Sequence, residues 1–129
     1  MWSVLKQTNL NNIISSLDER VNEEGNNYSV GQRQLFCLSR ALLRRTTILI
    51  MDEATSSLDH ESERLINDII MKTPRTVISI AHKLSNIINF DKVIVLDAGG
   101  EIKEIASPKE LMENKNSFFS QMIKTQMSS

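Results

Sequence analysis

The chain has 129 residues, of which 40% are hydrophobic and 24% charged, and its formal net charge is −1. These values are typical of a globular α/β domain with one core, and the dispersed charges provide no basic footprint for nucleic acid or an anionic membrane surface. The single cysteine, Cys37, excludes an internal disulfide and fits a reducing compartment. Because the charges give no basic footprint, we expect no nucleic-acid partner. The apolar runs are of strand length, so we also expect no direct membrane insertion.

Two helices are predicted in the first third of the chain. The first rests on four apolar residues at helical spacing. They are Leu10, Ile13, Ile14 and Leu17. After a polar loop over residues 18–27, Ser29 occupies an N-cap position, and a second helix is expected from there to about Leu43.

The middle of the chain has the pattern strand, helix, strand. Residues 47–51 are short, β-branched and apolar throughout, which predicts a strand covered on both faces. Asp59 is a second N-cap candidate for a helix to about Met71, and Pro74 ends that segment. Residues 76–80 predict the next strand. This order indicates a parallel sheet, in which ligands bind beyond the carboxyl ends of the strands.

The last third of the chain predicts a short helix, a hairpin and two further helices. The short helix covers residues 84–88, and a turn at residues 97–100 joins two strands into a hairpin. Residues 107–110 have the sequence Ser-Pro-Lys-Glu, which is a capping box with proline at the first helical position. An amphipathic helix over residues 117–127 is expected to end the chain.

The first motif with candidate chemistry is Ser29-Val30-Gly31-Gln32 at the start of the second predicted helix. A helix N-terminus offers N–H groups and a positive dipole end, and phosphate binds there. The Ser29 hydroxyl can donate a hydrogen bond, and Gly31 permits close approach of the backbone to an anion. A plain capped helix is the alternative interpretation.

The second motif is Asp52-Glu53 at the end of an apolar strand. Asp52 suits a Mg²⁺ shell through water, and Glu53 can orient or deprotonate the attacking water in phosphoryl transfer. His82 follows the next strand and is placed to contact a γ-phosphate and position that water. The alternatives are two solvated acids at a strand end and a histidine with a structural role.

Together these motifs resemble the signature motif, the Walker B strand and the D-loop of the ATP-binding domain of ABC transporters. The D-loop would be Ser57-Leu58-Asp59, and the N-cap role of Asp59 is compatible with it. The order and spacing are similar to those of that family, and the resemblance continues to about Phe119.

Within the family, the stretch that begins at Ser29 is most similar to the second nucleotide-binding domain of C-subfamily exporters, the multidrug-resistance-associated proteins. The usual signature reads Leu-Ser-Gly-Gly-Gln, whereas this chain has Tyr28 first and Val30 third. Valine resists positive φ, so the turn must be one that a β-branched residue adopts.

A further motif of the family, the Walker A pattern Gly-x-x-x-x-Gly-Lys-Ser/Thr, does not occur in the sequence. The resemblance therefore implies an incomplete P-loop NTPase (ABC ATPase) fold, a parallel-sheet half with a C-terminal hairpin and helices that lacks the Walker A strand. Residues 1–28 are expected to end the helical signature subdomain, and residues 29–129 to form the C-terminal part of the ATPase core. In that family the Walker A strand is central in the sheet, so its loss would expose strand edges and apolar helix faces.

The resemblance implies ATP and Mg²⁺ as cofactors, and a second nucleotide-binding domain and transmembrane domains as partners, at the cytoplasmic face of a membrane. Residues 29–32 would contact ATP held by the second domain, whereas Asp52, Glu53 and His82 would serve ATP held by the chain's own domain. We expect no autonomous ATP hydrolysis. One alternative is a non-catalytic module that only supplies its signature to a partner ATPase. Another is a soluble ABC ATPase of the chromosome-maintenance or translation type, which the absence of coiled-coil heptads disfavours.

Overall fold

The computed structural model describes residues 1–44, 46–53, 58–80 and 83–127. The chain forms two compact units, Met1–Ile80 and Ala81–Ser129. The expected boundary at residue 28 stays a prediction. In the part of the chain that the structure describes, no helix has the length and apolar character needed to cross a bilayer.

The first unit combines helices with a two-stranded parallel sheet. Its elements are α1 (Trp2–Gln7), α2 (Val30–Leu43), β1 (Ile48–Asp52), α3 (His60–Lys72) and β2 (Thr76–Ile80), with 3₁₀ turns at Leu10–Asn12 and Glu23–Gly25. The register of the sheet places Ile48 opposite Thr76 and Asp52 opposite Ile80. The predicted strand–helix–strand order and the parallel sheet are confirmed.

Side-chain hydrogen bonds join α2 to two other segments of the first unit. The buried hydroxyls of Thr8 and Ser39 lie 2.9 Å apart and tie α2 to the segment that follows α1. The Arg75 guanidinium donates to the carbonyls of Ala41 and Leu42, at 3.0 and 2.8 Å. Because the last carbonyls of a helix have no partner within it, Arg75 caps the C-terminal end of α2.

The predicted helix over Leu10, Ile13, Ile14 and Leu17 is wrong. Asn9 adopts a left-handed conformation with φ of 57°, and only a 3₁₀ turn follows it. Leu10 and Ile14 are buried, whereas Ile13 and Leu17 are 39% and 46% exposed. The apolar spacing therefore serves an irregular segment that turns two of its four large side chains inward.

The expectation that β1 is covered on both faces is also wrong. Leu49 and Met51 are buried, but Ile48 and Ile50 on the other face are 51% and 69% exposed. On β2, Ile78 and Ile80 are 50% and 56% exposed. The sheet thus presents an apolar face that no described element covers.

The second unit is an antiparallel hairpin packed with two helices. Its elements are a 3₁₀ turn (Leu84–Asn86), β3 (Val93–Leu96), β4 (Ile102–Ala106), α4 (Pro108–Glu113) and α5 (Phe118–Met127). They enclose a core of six buried residues: Leu84, Val93, Val95, Leu111, Phe119 and Ile123. The hairpin, the capping box at Ser107 and the last helix are confirmed as predicted, and the short helix at residues 84–88 is a single 3₁₀ turn.

Glu104 on β4 fixes the start of α5. Its carboxylate accepts hydrogen bonds from the Ser117 hydroxyl at 2.8 Å and from the N–H groups of Phe118 and Phe119 at 2.9 and 3.2 Å. Burial raises the pKa of Glu104, but these three bonds outweigh it, and the pKa is lowered. The hairpin and α5 are therefore joined by a charged cap as well as by the core.

Candidate functional site

The N-terminus of α2 is closed by a neutral capping box. The N–H of Gln32 donates to the Ser29 hydroxyl at 3.2 Å, and the N–H of Ser29 donates to the Gln32 side-chain oxygen at 2.9 Å. No acidic residue lies in the first turn of this 14-residue helix. Since the cap carries no charge, the positive end of the helix dipole is not neutralised from within α2.

Val30 and Gly31 leave backbone donors at this helix end. Val30 lies at the first helical position and is absent from the residues with positive φ, so the turn is one that valine adopts, as predicted. The N–H groups of Val30 and Gly31 have no acceptor among the described residues. These groups match the requirement for phosphate binding at a helix N-terminus.

Gly31 also has a neighbour that the sequence did not reveal. A Cβ on Gly31 would lie 3.0 Å from the Ser62 Oγ, 3.4 Å from an Asp59 carboxylate oxygen and 3.5 Å from a Leu58 methyl. The first of these distances is tighter than side chains normally tolerate. Glycine therefore permits a close contact with the start of α3, in addition to any approach of an anion.

Asp59 closes the N-terminus of α3. One carboxylate oxygen accepts from the Ser62 N–H at 2.9 Å, and the other accepts from the Ser62 hydroxyl at 2.8 Å. These two bonds, the backbone bond first, lower the pKa of Asp59. The predicted N-cap is confirmed. The D-loop role of Leu58 and Asp59 stays a prediction.

The candidate carboxylates lie at the carboxyl edge of the parallel sheet. Asp52 is exposed and pairs with Ile80 in the register, and the Glu53 N–H donates to the Ile80 carbonyl at 3.0 Å. Glu53 has φ of 46°, a left-handed conformation that costs a non-glycine residue roughly 1–3 kcal/mol. Glu53 is the residue that follows the last residue of β1, Asp52.

Two predicted site residues lie outside the described residues. His82 is the predicted γ-phosphate contact, and Ser57 is the first residue of the predicted D-loop; both fall in the gaps between the described ranges. The structure brings together the signature turn and the cap of α3 through Gly31. It also aligns Asp52 with the end of β2.

Two buried polar atoms near α2 have no hydrogen-bond partner in the described structure. They are the Tyr28 hydroxyl and the Gln34 side-chain oxygen. The Tyr28 ring packs edge-on against Phe36, with ring centroids 4.8 Å apart. Gln34 lines a groove of about 200 Å³ between α2 and β1. Periodicity alone did not single out either residue, because both are placed by packing rather than by a motif.

The described residues contain no group of three or more His, Cys, Asp or Glu side chains with the arrangement of a metal site. Mg²⁺ keeps several waters and is commonly held by one or two carboxylates together with substrate phosphates. The exposed carboxylate of Asp52 at the sheet edge is compatible with that mode of binding. The neutral helix end at Val30 and Gly31 is compatible with a phosphate group.

Comparisons with known proteins point to one family. Residues 1–56 match the family model described as ABC transporter. The chain is 48% identical over 110 residues to bile pigment transporter 1 of Saccharomyces cerevisiae, and this match covers 84% of the chain. It is 45% identical over 125 residues, or 92% of its length, to ATP-binding cassette sub-family C member 2 of Rattus norvegicus. The chain belongs to the ABC transporter family. Its relatives place it in the C subfamily, as the signature residues predicted.

The solved structures agree with the fold. The chain superposes on a bacterial Atm1-family ABC exporter with ATP bound at a TM-score of 0.85 and 31% sequence identity, over 98% of its own length. It therefore has the α/β fold of part of an ABC nucleotide-binding domain. The chain spans only 7% of the yeast relative, 8% of the rat relative and 23% of the solved exporter chain.

Proposed function

We propose that this chain acts within the nucleotide-binding domain of an ABC exporter, where ATP binding and hydrolysis between two such domains drive transport across a membrane. The N-terminus of α2 presents residues 29–32 to ATP held by a second nucleotide-binding domain. The carboxylates at the sheet edge serve ATP held by the chain's own domain. The transmembrane domains of the transporter are the further partner, and the chain works on the cytoplasmic side of the membrane.

The observation that supports this proposal most is the N-terminus of α2, whose own capping box and first turn carry no charge. Its cap is neutral, its first turn holds no acid, and the N–H groups of Val30 and Gly31 have no acceptor in the described structure. An ATP phosphate supplies the negative charge that such a helix end attracts. The Ser29 hydroxyl adds a donor of the right kind beside these groups.

The sheet-edge residues fit the second part of the proposal. Asp52 is assigned to Mg²⁺ through a water molecule, and Glu53 to the water that attacks the γ-phosphate. His82 is assigned a contact to the γ-phosphate. When bound, the metal ion neutralises charge that develops on the phosphate oxygens. The residues of this chain would position the water and accept its proton.

A test of the signature role measures association that depends on ATP. The 129-residue chain is mixed with a purified nucleotide-binding domain of a C-subfamily transporter that has its own Walker A motif and a disabled catalytic base. Analytical ultracentrifugation with Mg²⁺ and either ATP or ADP reports complex formation. We expect a complex with ATP, weaker binding with ADP, and about ten-fold weaker ATP-dependent binding for Ser29→Ala, a loss on the scale of one hydrogen bond to a charged group.

The matched control is Ser107→Ala, which removes an equivalent serine cap from α4. It should leave the ATP-dependent complex unchanged. Equal weakening by both substitutions, or a complex that forms equally well without nucleotide, would contradict the signature role.

The chain alone should not hydrolyse ATP, because its sequence contains no Walker A pattern to hold the β- and γ-phosphates. Phosphate release is measured with the chain alone and with its Glu53→Gln variant. Turnover that disappears in the variant would show that the chain holds ATP by itself and would overturn this expectation.

A second candidate function is that of a non-catalytic module that only supplies its signature motif to a partner ATPase, for which the neutral N-terminus of α2 alone would be sufficient. Mass spectrometry of the native polypeptide separates the two. Peptides with a Walker A motif joined upstream of Met1 would support a complete ATPase, in which Glu53 and His82 act in catalysis. A native N-terminus at Met1 would support the non-catalytic module that supplies its signature motif to a partner ATPase.

A further inference from the structure

The N-termini of α2 and α3 meet at a contact between Gly31 and Ser62. The space where a side chain of residue 31 would lie is filled by the Ser62 Oγ, 3.0 Å from the position of a Cβ. Gly31 is buried, and Ser62 is half-buried. The start of the signature helix therefore rests directly on the first turn of the helix that follows the predicted D-loop.

Ser62 also donates two hydrogen bonds to the Asp59 carboxylate, which lies beside this contact. Its N–H holds one oxygen of Asp59 at 2.9 Å, and its hydroxyl holds the other at 2.8 Å. That second oxygen would lie only 3.4 Å from a Cβ on Gly31. Both oxygens of Asp59 are thus occupied by α3, and the nearby N–H groups of α2 are left without an acceptor.

The two bonds from Ser62 have different consequences. The bond from its N–H is the ordinary N-cap of α3 and needs no particular side chain at position 62. The bond from its hydroxyl is additional. In this bond the Ser62 Oγ donates to the Asp59 carboxylate oxygen that lies nearer to Gly31. The Ser62 Oγ also occupies the space beside Gly31. The hydroxyl of Ser62 therefore lies between the N-cap of α3 and the start of α2.

We propose that Ser62 is a positioning residue that couples the signature turn to the D-loop. Its hydroxyl packs against Gly31 and retains the Asp59 carboxylate on α3, so the N–H groups at the start of α2 stay open for phosphate. The consequence for ATP rests on the proposed function, in which Gly31 faces ATP on a second domain. The coupling between Ser62 and Gly31 does not rest on it.

The coupling is tested by suppression in the 129-residue chain. Hydrogen exchange of the first bonded amides of α2, those of Gln32 and Arg33, which donate to the Ser29 hydroxyl and carbonyl, is measured in Gly31→Ala, Ser62→Ala and the double variant. Gly31→Ala should speed exchange about ten-fold because its methyl meets the Ser62 Oγ, and adding Ser62→Ala should restore exchange to within about two-fold of the parent. Effects that simply multiply in the double variant would overturn the proposal.

The suppression also decides the matter if Gly31→Ala does not fold. Recovery of folding by Ser62→Ala supports the proposal, and a double variant that stays unfolded overturns it. The matched control is Gly99→Ala, in which the new methyl would lie 3.3 Å from the Asp97 carboxylate. Ser62→Ala should not suppress its effect, and suppression of both glycine variants would show a general effect and overturn the proposal.

The ATP-dependent complex gives a readout that a cap alone would not change. Ser62→Ala should weaken that complex several-fold, because the freed carboxylate of Asp59 competes for the N–H groups of α2. In an Asp59→Asn background, which keeps a good N-cap, Ser62→Ala should have little further effect. An equal loss in both backgrounds would overturn the carboxylate part of the proposal. If the unsubstituted chain forms no such complex while the suppression is observed, the proposed function fails and the coupling stands.

Discussion

The helices α2 and α4 begin with the same hydrogen-bonding device but with different charge. In α2 the two bonds between Ser29 and Gln32 measure 2.9 and 3.2 Å. In α4 the corresponding bonds between Ser107 and Glu110 measure 2.9 and 3.3 Å, and the Ser107 hydroxyl also donates to the Glu110 carboxylate at 2.7 Å. Only the box of α4 places a carboxylate at the positive end of the helix dipole. The neutral box of α2 lacks the favourable interaction between a carboxylate and the helix dipole, so the positive end of this dipole can still attract an external anion. The difference separates a helix end built for stability from one suited to binding.

The largest expected effect comes from exchanging the charges of the two boxes. Gln32→Glu keeps the hydrogen bonds of the α2 box but adds a negative charge where ATP phosphate would bind. We expect at least about ten-fold weaker ATP-dependent association, together with a helix that is unchanged or stabilised by roughly 0.3–1 kcal/mol. Ultracentrifugation and thermal unfolding measure the two quantities.

The reciprocal substitution, Glu110→Gln, is the control for that exchange. It should leave ATP-dependent association unchanged. A Gln32→Glu chain that unfolds early would show that its effect on association is structural, and undiminished association would show that phosphate does not bind at this helix end.

A smaller effect is expected when the serine of each box is removed. Ser29→Ala and Ser107→Ala should each destabilise the chain by about 1 kcal/mol, because each leaves a helix N–H without its cap. Urea unfolding followed by circular dichroism provides the comparison. The two losses should be similar, whereas only Ser29→Ala should affect the ATP-dependent complex. A clearly smaller loss for Ser29→Ala would mean that the neutral box contributes little to folding.

The residue before the α2 box offers a substitution that should stabilise the chain. The Tyr28 hydroxyl is buried without a partner, whereas its ring packs on Phe36. Tyr28→Phe removes the unsatisfied group and keeps the ring, so we expect a gain of about 1 kcal/mol in the free energy of unfolding. Tyr28→Ala, which also removes the ring, should destabilise the chain. A loss on Tyr28→Phe would mean that the hydroxyl has a partner in solution.

The smallest expected effect is a difference in acid sensitivity between the two boxes. Hydrogen bonds from the Ser107 hydroxyl and the Ser107 N–H lower the pKa of Glu110 below its ordinary value of 4.5. Because its folded pKa is the lower one, the stability that Glu110 adds is complete above pH 4.5 and is lost as the pH falls through the folded pKa. The amide of Gln32 does not titrate.

Hydrogen exchange between pH 3 and 6, corrected for intrinsic exchange rates, measures this difference. Amides at the start of α4 should lose protection at the acid end of the range, and those at the start of α2 should not. Glu110→Gln should abolish the acid-dependent loss in α4. Equal loss in both helices would indicate unfolding of the whole chain rather than titration of one box.

Local signals in the sequence predicted the parts of the fold that depend on capping and turn chemistry. Ser29, Asp59 and Ser107 each mark the residue before a helix, and the turn at residues 97–100 marks the hairpin. Periodicity failed around Leu10 because apolar residues at helical spacing do not require a helix: the segment forms only a 3₁₀ turn over Leu10–Asn12, and Leu10 and Ile14 are still buried.

Contacts between distant segments account for what the sequence did not predict. Ser62 beside Gly31 and Arg75 at the end of α2 are single polar residues with no motif around them. Their roles exist only once α2 and α3 are packed. The uniformly apolar sequence of β1 predicted burial on both faces, but only one face is buried. An apolar composition shows that a face can be buried, and it does not show which element covers that face.

The left-handed backbone at Glu53 has a consequence for selection experiments. Glycine and asparagine adopt a φ of 46° with less backbone strain than glutamate does. A screen for thermal stability alone should therefore favour Glu53→Gly or Glu53→Asn. Each of these removes the candidate water-positioning carboxylate. A library sorted for stability and one sorted for ATP-driven transport should therefore diverge at this position, and the divergence would mark Glu53 as retained for chemistry at the expense of the backbone.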